Sequence, residues 1–276
     1  MATGALVRVP ASAQAGAAPA RAVLLLLHGL AEDGGAGIAR FDLARGQFLE
    51  HLRLLQGAQA RGEITVMALD AWWRGDACRG RPVVLCFDDG GRSDVETALP
   101  LLQEFGMRAS FFINSAYVGR AGYLDWSGIQ ALQRAGMGIE SHGHEHCALP
   151  LLPRRELESQ LRRARHMLQD GAGTRVRYLA APFGLWNRRV LETALSIGYA
   201  AVCTSQPGLT EAGALRICRN ALRTHTSARQ LQGWLRCRPG SYAPRICLDR
   251  LLWTPKNILL YAPGGWRRVA PPPPKV

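Results

Sequence analysis

Seven short apolar runs, at residues 22–27, 65–68, 83–87, 109–113, 138–141, 178–180 and 200–204, alternate with longer stretches of helical spacing. No other feature constrains the fold as strongly. Apolar runs without polar alternation suit strands covered on both faces, and helices between them are the connections a parallel sheet requires. The intervening residues 41–56, 94–105, 126–135, 154–170 and 187–197 carry apolar side chains three and four apart. Gly106, Gly136 and Gly198 stand where three of these helices should stop. We therefore expect an α/β chain with a mainly parallel sheet, close to a barrel in strand number, and no solenoid repeat.

The runs define one domain over residues 22–235 with a tail at either end. Residues 1–21 are rich in Ala, Gly and Pro, and 236–276 form a basic extension ending in Pro271 to Pro274. The chain carries a formal charge of +13, spread through its length. That charge fits an anionic partner or an arginine-rich composition, but no zinc-finger or helix-turn-helix spacing accompanies it, which argues against nucleic acid. In 236–275 eight basic residues face the single acid Asp249, with Trp253, Tyr261 and Trp266 among them. Such a segment either packs across the end of the barrel or lies on an anionic membrane. The seven cysteines include no C-x-x-C pair, which argues against a zinc ribbon or a disulfide framework and for a reducing compartment. Val23 to Leu27 is too short for a membrane span. The expectation is a cytoplasmic protein, with peripheral membrane contact through 236–276 as an option.

Polar clusters follow three of the apolar runs, at the strand ends where such folds place their reactive groups. Asp88-Asp89 leaves the third run into Gly90-Gly91. Neighbours on an extended chain point in different directions, so one carboxylate can face a metal while the other faces water or substrate; an Asx turn or a helix cap is the alternative reading. After the fifth run, His142 and His146 are four apart and can converge on one ion. His144 between them points elsewhere, and a solvated turn is the alternative. One carboxylate and two imidazoles leave coordination positions open, which is a catalytic arrangement.

Phe87-Asp88-Asp89-Gly90, then Ser141-His142 with His146, then Ala180-Ala181-Pro182-Phe183-Gly184, resemble in that order the motifs of the NodB-type polysaccharide deacetylases. Leu27-His28, Ala98 to Leu102, Ala109 to Phe112 and Asp125-Trp126 extend the resemblance over roughly 22–235. It implies a distorted (β/α)7-type barrel that removes N-acetyl or O-acetyl groups from an acetylated amino sugar, glycan or glycoside. By the same resemblance Asp88 is the catalytic base, and Asp89, His142 and His146 bind one divalent metal, zinc being expected. Pro182, Phe183, Gly184 and Trp186 would line the substrate site, with a backbone N–H of that turn as a second oxyanion donor.

Two departures stand out. Ala180 occupies the position where many members have an arginine bracing the catalytic aspartate. The late Leu-x-His element that supplies the acid is not evident, leaving His225 as its candidate; an exposed loop histidine is the other reading. A sugar-binding or assembly protein with a weakened site is the competing function. Leu27-His28-Gly29 also suggests an α/β-hydrolase oxyanion strand, but there is no G-x-S-x-G elbow.

Overall fold

A computed structural model describes residues 21–31, 33, 42–238 and 240–242. All but Arg21 of the expected tail 1–21, most of the extension 236–276 and its proposed membrane contact lie outside the described residues.

In chain order the elements begin with β1 (Val23–Leu27), β2 (Leu30–Ala31), β3 (Leu43–Ala44), α1 (Arg45–Ala60), β4 (Ile64–Val66) and α2 (Leu69–Arg74). Then come β5 (Arg81–Asp89), α3 (Leu99–Glu104), β6 (Ala109–Ile113), α4 (Trp126–Arg134), β7 (Gly138–Ser141) and α5 (Arg154–Ala172). Last are β8 (Tyr178–Ala180), α6 (Arg188–Ile197), β9 (Ala201–Cys203), β10 (Arg216–Ile217), β11 (Asn220–Ala221) and α7 (Ala228–Leu235). Nine strands form one sheet in the order β10-β9-β8-β7-β6-β5-β1-β11, with β4 on the start of β5. Every pairing is parallel, so all C-terminal strand ends meet at one mouth.

The strands alternate between two apolar layers. Val83, Leu85 and Phe87 join the outer core under the helices, while Val84 and Cys86 face the barrel interior with Leu24, Phe112 and Tyr178. All five residues of β1 are at most 1% exposed, and burying each stabilises the fold by about 1.5–3 kcal/mol. Helix α2 plugs the end of the barrel opposite the mouth, packing Leu69 and Trp72 into the interior layer. Arg177 Nη1 and the Tyr178 hydroxyl both donate to Asp70 of this helix, at 2.5 and 2.9 Å.

The barrel closes through a two-residue step. β10 and β11 stand at opposite ends of the strand order, and only Cys218 and Arg219 separate them in the chain. Across this seam Ala22 and Thr210 form an antiparallel bridge, and Asn220 Nδ2 donates to Leu24 O at 3.2 Å. The distorted (β/α) barrel expected from the resemblance is the fold observed.

Some boundaries differ from expectation for identifiable reasons. The helix expected over 94–105 divides into a π-helical turn, Asp94–Ala98, and α3. Pro100 sits in the first turn of α3, where it lacks the N–H an uninterrupted ladder needs. The helix expected from residue 41 begins at Arg45, because Leu43–Ala44 pair with Leu30–Ala31 instead. Helix caps follow local chemistry: Asp125, Asn187 and Ser227 accept from the N–H groups of Gly128, Val190 and Gln230.

Candidate active site

Strand β5 delivers both aspartates to the mouth and separates their roles by backbone conformation. Asp88 continues the interior-facing series Val84, Cys86 and is 3% exposed. Asp89 would point outward in an extended chain, but its φ of 79° breaks the alternation and turns its carboxylate over the mouth. Gly90 follows with φ 73°, and a Cβ there would lie 3.0 Å from Ile113 Cγ2. Gly90 therefore accommodates a left-handed turn against β6.

The loop after β7 is pinned from several sides. His142 N donates to Ile113 O at 2.9 Å and Asn114 Nδ2 donates to His142 O at 2.7 Å. Gln160 on α5 accepts from Glu145 N and donates to its side chain. His144 turns away to Ser115, with Nδ1 2.8 Å from Oγ, so its expected lack of a ligand role has a structural reason. His142 and His146 are left facing Asp89. Their Nε2 atoms lie 3.3 and 3.5 Å from Asp89 Oδ1.

These distances fit one ion, because ligands at about 2.1 Å in tetrahedral directions are roughly 3.4 Å apart. Among the described residues Asp89, His142 and His146 form a cluster of ligand atoms within 4.8 Å of one another. Asp89 Oδ1 is buried without a hydrogen-bond partner, as a metal-directed oxygen would be. His142 Nδ1 lies 2.9 Å from Ala180 O; donation to that carbonyl selects the tautomer whose Nε2 lone pair faces Asp89. His146 lies edge-on to Phe183 at 4.3 Å between ring centroids. Burial and the neighbouring His142 push its pKa down to about 4, leaving a neutral imidazole at neutral pH. Burial also pulls His142 down, but Asp88 and Asp89 outweigh it and raise its pKa.

A residue the sequence reading did not single out completes the arrangement. Arg219, in the seam between β10 and β11, is fully buried and grips Asp88 with two bonds, Nη1 to Oδ1 at 2.7 Å and Nη2 to Oδ2 at 2.8 Å. Its Nε donates to Thr204 O at 3.0 Å and its Cζ lies 5.1 Å from the Phe112 ring centroid. Burial opposes the Asp88 charge, but Arg219 prevails and holds the carboxyl below its ordinary range. The brace that Ala180 does not supply is thus present from the step between β10 and β11. Asp94, behind the pair, has both oxygens buried without partners. Burial, then Asp89 and Asp88, push its pKa well above its ordinary value.

Other expected site residues divide into two groups. The turn Pro182–Gly184 follows β8 at the mouth, with Phe183 at φ 60° against His146. Gly184 N and Leu185 N donate within the turn, to Ala181 O and Pro182 O, which leaves Phe183 N–H as its candidate donor. His225 is exposed in the loop after β11 and makes no hydrogen bond, ion pair or ring contact among the described residues. His28 stands differently. Leu27 pairs with Phe87, so the next step along both strands brings His28 level with Asp88. Burial lowers the His28 pKa against the pull of Asp89 and Asp88.

Comparison with known proteins places the fold. Residues 76–202 match the polysaccharide deacetylase family. Over this segment the chain is similar to the polysaccharide deacetylases. A chitooligosaccharide deacetylase of Sinorhizobium fredii is 31% identical over 122 residues, 44% of this chain and 55% of that one. The chain spans about half the length of the curated relatives it matches. A Streptococcus pyogenes deacetylase, PplD, solved in complex with acetate, superposes with a TM-score of 0.71 at 17% identity, covering 79% of this chain and 99% of that one. IcaB from Ammonifex degensii gives 0.69 at 22% identity, covering 78% and 97%. At such identities the superpositions establish the fold.

Proposed function

We propose that the chain is a metal-dependent hydrolase that removes acetyl groups from an acetylated amino sugar, as part of a glycan or glycoside. The observation that carries this reading is the convergence of Asp89 Oδ1 with the Nε2 atoms of His142 and His146, beside a second carboxylate held by a buried arginine. Asp89, His142 and His146 would hold one divalent ion, and an imidazole and carboxylate set suits zinc. When bound there, such an ion polarises an acetyl carbonyl and makes water more acidic.

The chain's own residues supply the rest. Asp88 stays ionised through its bonds to Arg219 and keeps lone pairs free to accept a proton from the attacking water. Its low pKa makes it a weak base, so the reading rests on position and on the acidity of the water. Phe183 N–H is the candidate donor to a developing oxyanion. Phe183 and Trp186 offer aromatic faces to the sugar. The departing amine takes up the proton that Asp88 has accepted from water, and His28, level with Asp88 in the strand register, is the candidate to relay it; His225 is exposed in the loop after β11. The chitooligosaccharide substrate in the name of the Sinorhizobium fredii relative supports an acetylated glycan.

The test is metal analysis of the purified protein joined to acetate release from acetylated amino-sugar oligomers. One equivalent of divalent metal is expected, lost with turnover in the His142→Ala/His146→Ala double variant. Turnover undiminished in that variant would overturn the reading.

A further inference from the structure

Two exposed arginines, on segments that adjoin those bearing His146 and Phe183, have no assigned part in the reaction proposed above. The loop after β6 folds back on the Asp89–Gly90 turn. Leu124 N donates to Gly90 O at 3.0 Å, Arg92 N donates to Gly122 O at 3.0 Å, and Gly91 bridges Tyr123. Within this loop Tyr117 and Tyr123 pack at 4.9 Å between centroids, and Tyr117 hydrogen-bonds the main chain of His146. The Arg120 guanidinium lies over the Tyr117 ring, its Cζ 5.0 Å from the centroid. The turn bearing Phe183 leads to Trp186, over which Arg216 lies with its Cζ also 5.0 Å from the centroid.

Neither guanidinium is neutralised. Arg61, Arg74, Arg92, Arg154, Arg177 and Arg188 each pair with a carboxylate, but among the described residues Arg120 and Arg216 do not. Arg216 donates only to the neutral Gln206 Oε1, at 2.7 Å. The nearby acid Glu145 is tied to Gln160. Tyr117 and Tyr123 are kept uncharged, burial raising the pKa of each. A guanidinium resting on an aromatic face is held in plane and leaves its edge free for two-point binding of carboxylate or phosphate oxygens. The aromatic beneath it offers an apolar face of the kind a sugar ring covers.

We propose that the mouth selects an acetylated sugar bearing an anionic group, a carboxylate or a phosphate, through Arg120 and Arg216. This rests on the deacetylase reading for the acetyl group but not for the anion. A neutral acetylated glycan would fill the aromatic faces and leave both cations unmatched.

The test measures Kd by ligand-observed NMR on the intact wild-type chain and on Arg120→Gln, Arg216→Gln and the double variant. The probes are an N-acetylhexosamine–uronic acid oligosaccharide against its methyl ester, and an N-acetylhexosamine 1-phosphate against its methyl glycoside. The anionic member of at least one pair should bind about fivefold to tenfold tighter, with the advantage shrinking at high salt. The double variant should lose that preference, retain its affinity for the neutral probe and unfold at the wild-type temperature. A preference in one pair identifies the source of the anion as uronate or phosphate. Equal affinity for charged and neutral members of both pairs overturns the proposal, as does a double variant that weakens both members alike. Acetate release from the same compounds is followed in parallel. An anion preference without acetate release refutes the deacetylase reading and leaves the anion site standing.

Discussion

Replacing Arg219 with Ala probes the buried pair behind the site. The substitution removes two bonds to Asp88 at 2.7 and 2.8 Å and one to Thr204 O at 3.0 Å. It also leaves Asp88, 3% exposed, as a charge without its partner. Breaking a buried pair from one side costs about 3–5 kcal/mol. In a domain of this size each kcal/mol moves the unfolding temperature by roughly 2–4 °C, so a drop of roughly 6–20 °C is expected by thermal melting. The pH dependence shifts as well. In the wild type the Asp88 pKa is lowered, so its contribution is present above the unfolded value of about 3.9 and is lost as pH falls through the folded one. Without Arg219, burial is opposed only by His142 and His28, so the Asp88 pKa rises from its wild-type value and the acid limb of activity moves upward. Removing both charges in Arg219→Met/Asp88→Leu should recover much of the stability and none of the turnover. An Arg219→Ala protein with wild-type melting temperature and pH profile would refute the reasoning.

Four other substitutions test separate parts of the account. Burial pushes Glu140 up to about 8 despite the N–H groups of Tyr178 and Arg177 that it accepts. Its contribution is therefore full below the unfolded value of about 4.3 and is lost as pH rises through about 8. Glu140→Gln should flatten denaturant-measured stability over that window, and an unchanged slope would contradict it. Gly184 has φ 69°, and a Cβ there would lie 2.7 Å from Ser205 Cβ. Gly184→Ala should cost about 1–2 kcal/mol from the backbone alone, with more from the clash; a stability equal to wild type in chemical denaturation would show that the turn relaxes freely. His28→Asn should lower acetate release about a hundredfold or more while His225→Ala leaves it intact, and the reverse outcome would restore His225 as the acid.

Much of the barrel was legible in the sequence because each central strand is buried on both faces. The runs at 109–113, 138–141 and 178–180 coincide with β6, β7 and β8. The Asp88-Asp89 and His142, His146 motifs were legible because adjacent carboxylates and histidines four apart are local patterns. Arg219 was not, since its partner lies 131 residues away and its own segment is two short strands flanking a step. The only signal was an arginine in Ile217-Cys218-Arg219-Asn220, whose two-residue periodicity with Ile217 turns it inward. The plug helix α2 was missed for a related reason. Its six residues are too few to display a helical period, and burial in the barrel end replaces the amphipathic pattern.

The most direct test of the central claim separates the paired aspartates by metal content and turnover in the same preparations. Asp88→Asn should keep one equivalent of divalent metal while acetate release collapses; Asp89→Asn should lose the metal, because its Oδ1 is the atom shared by His142 and His146. Equal metal loss in both variants, or turnover by Asp89→Asn without metal, would contradict the account.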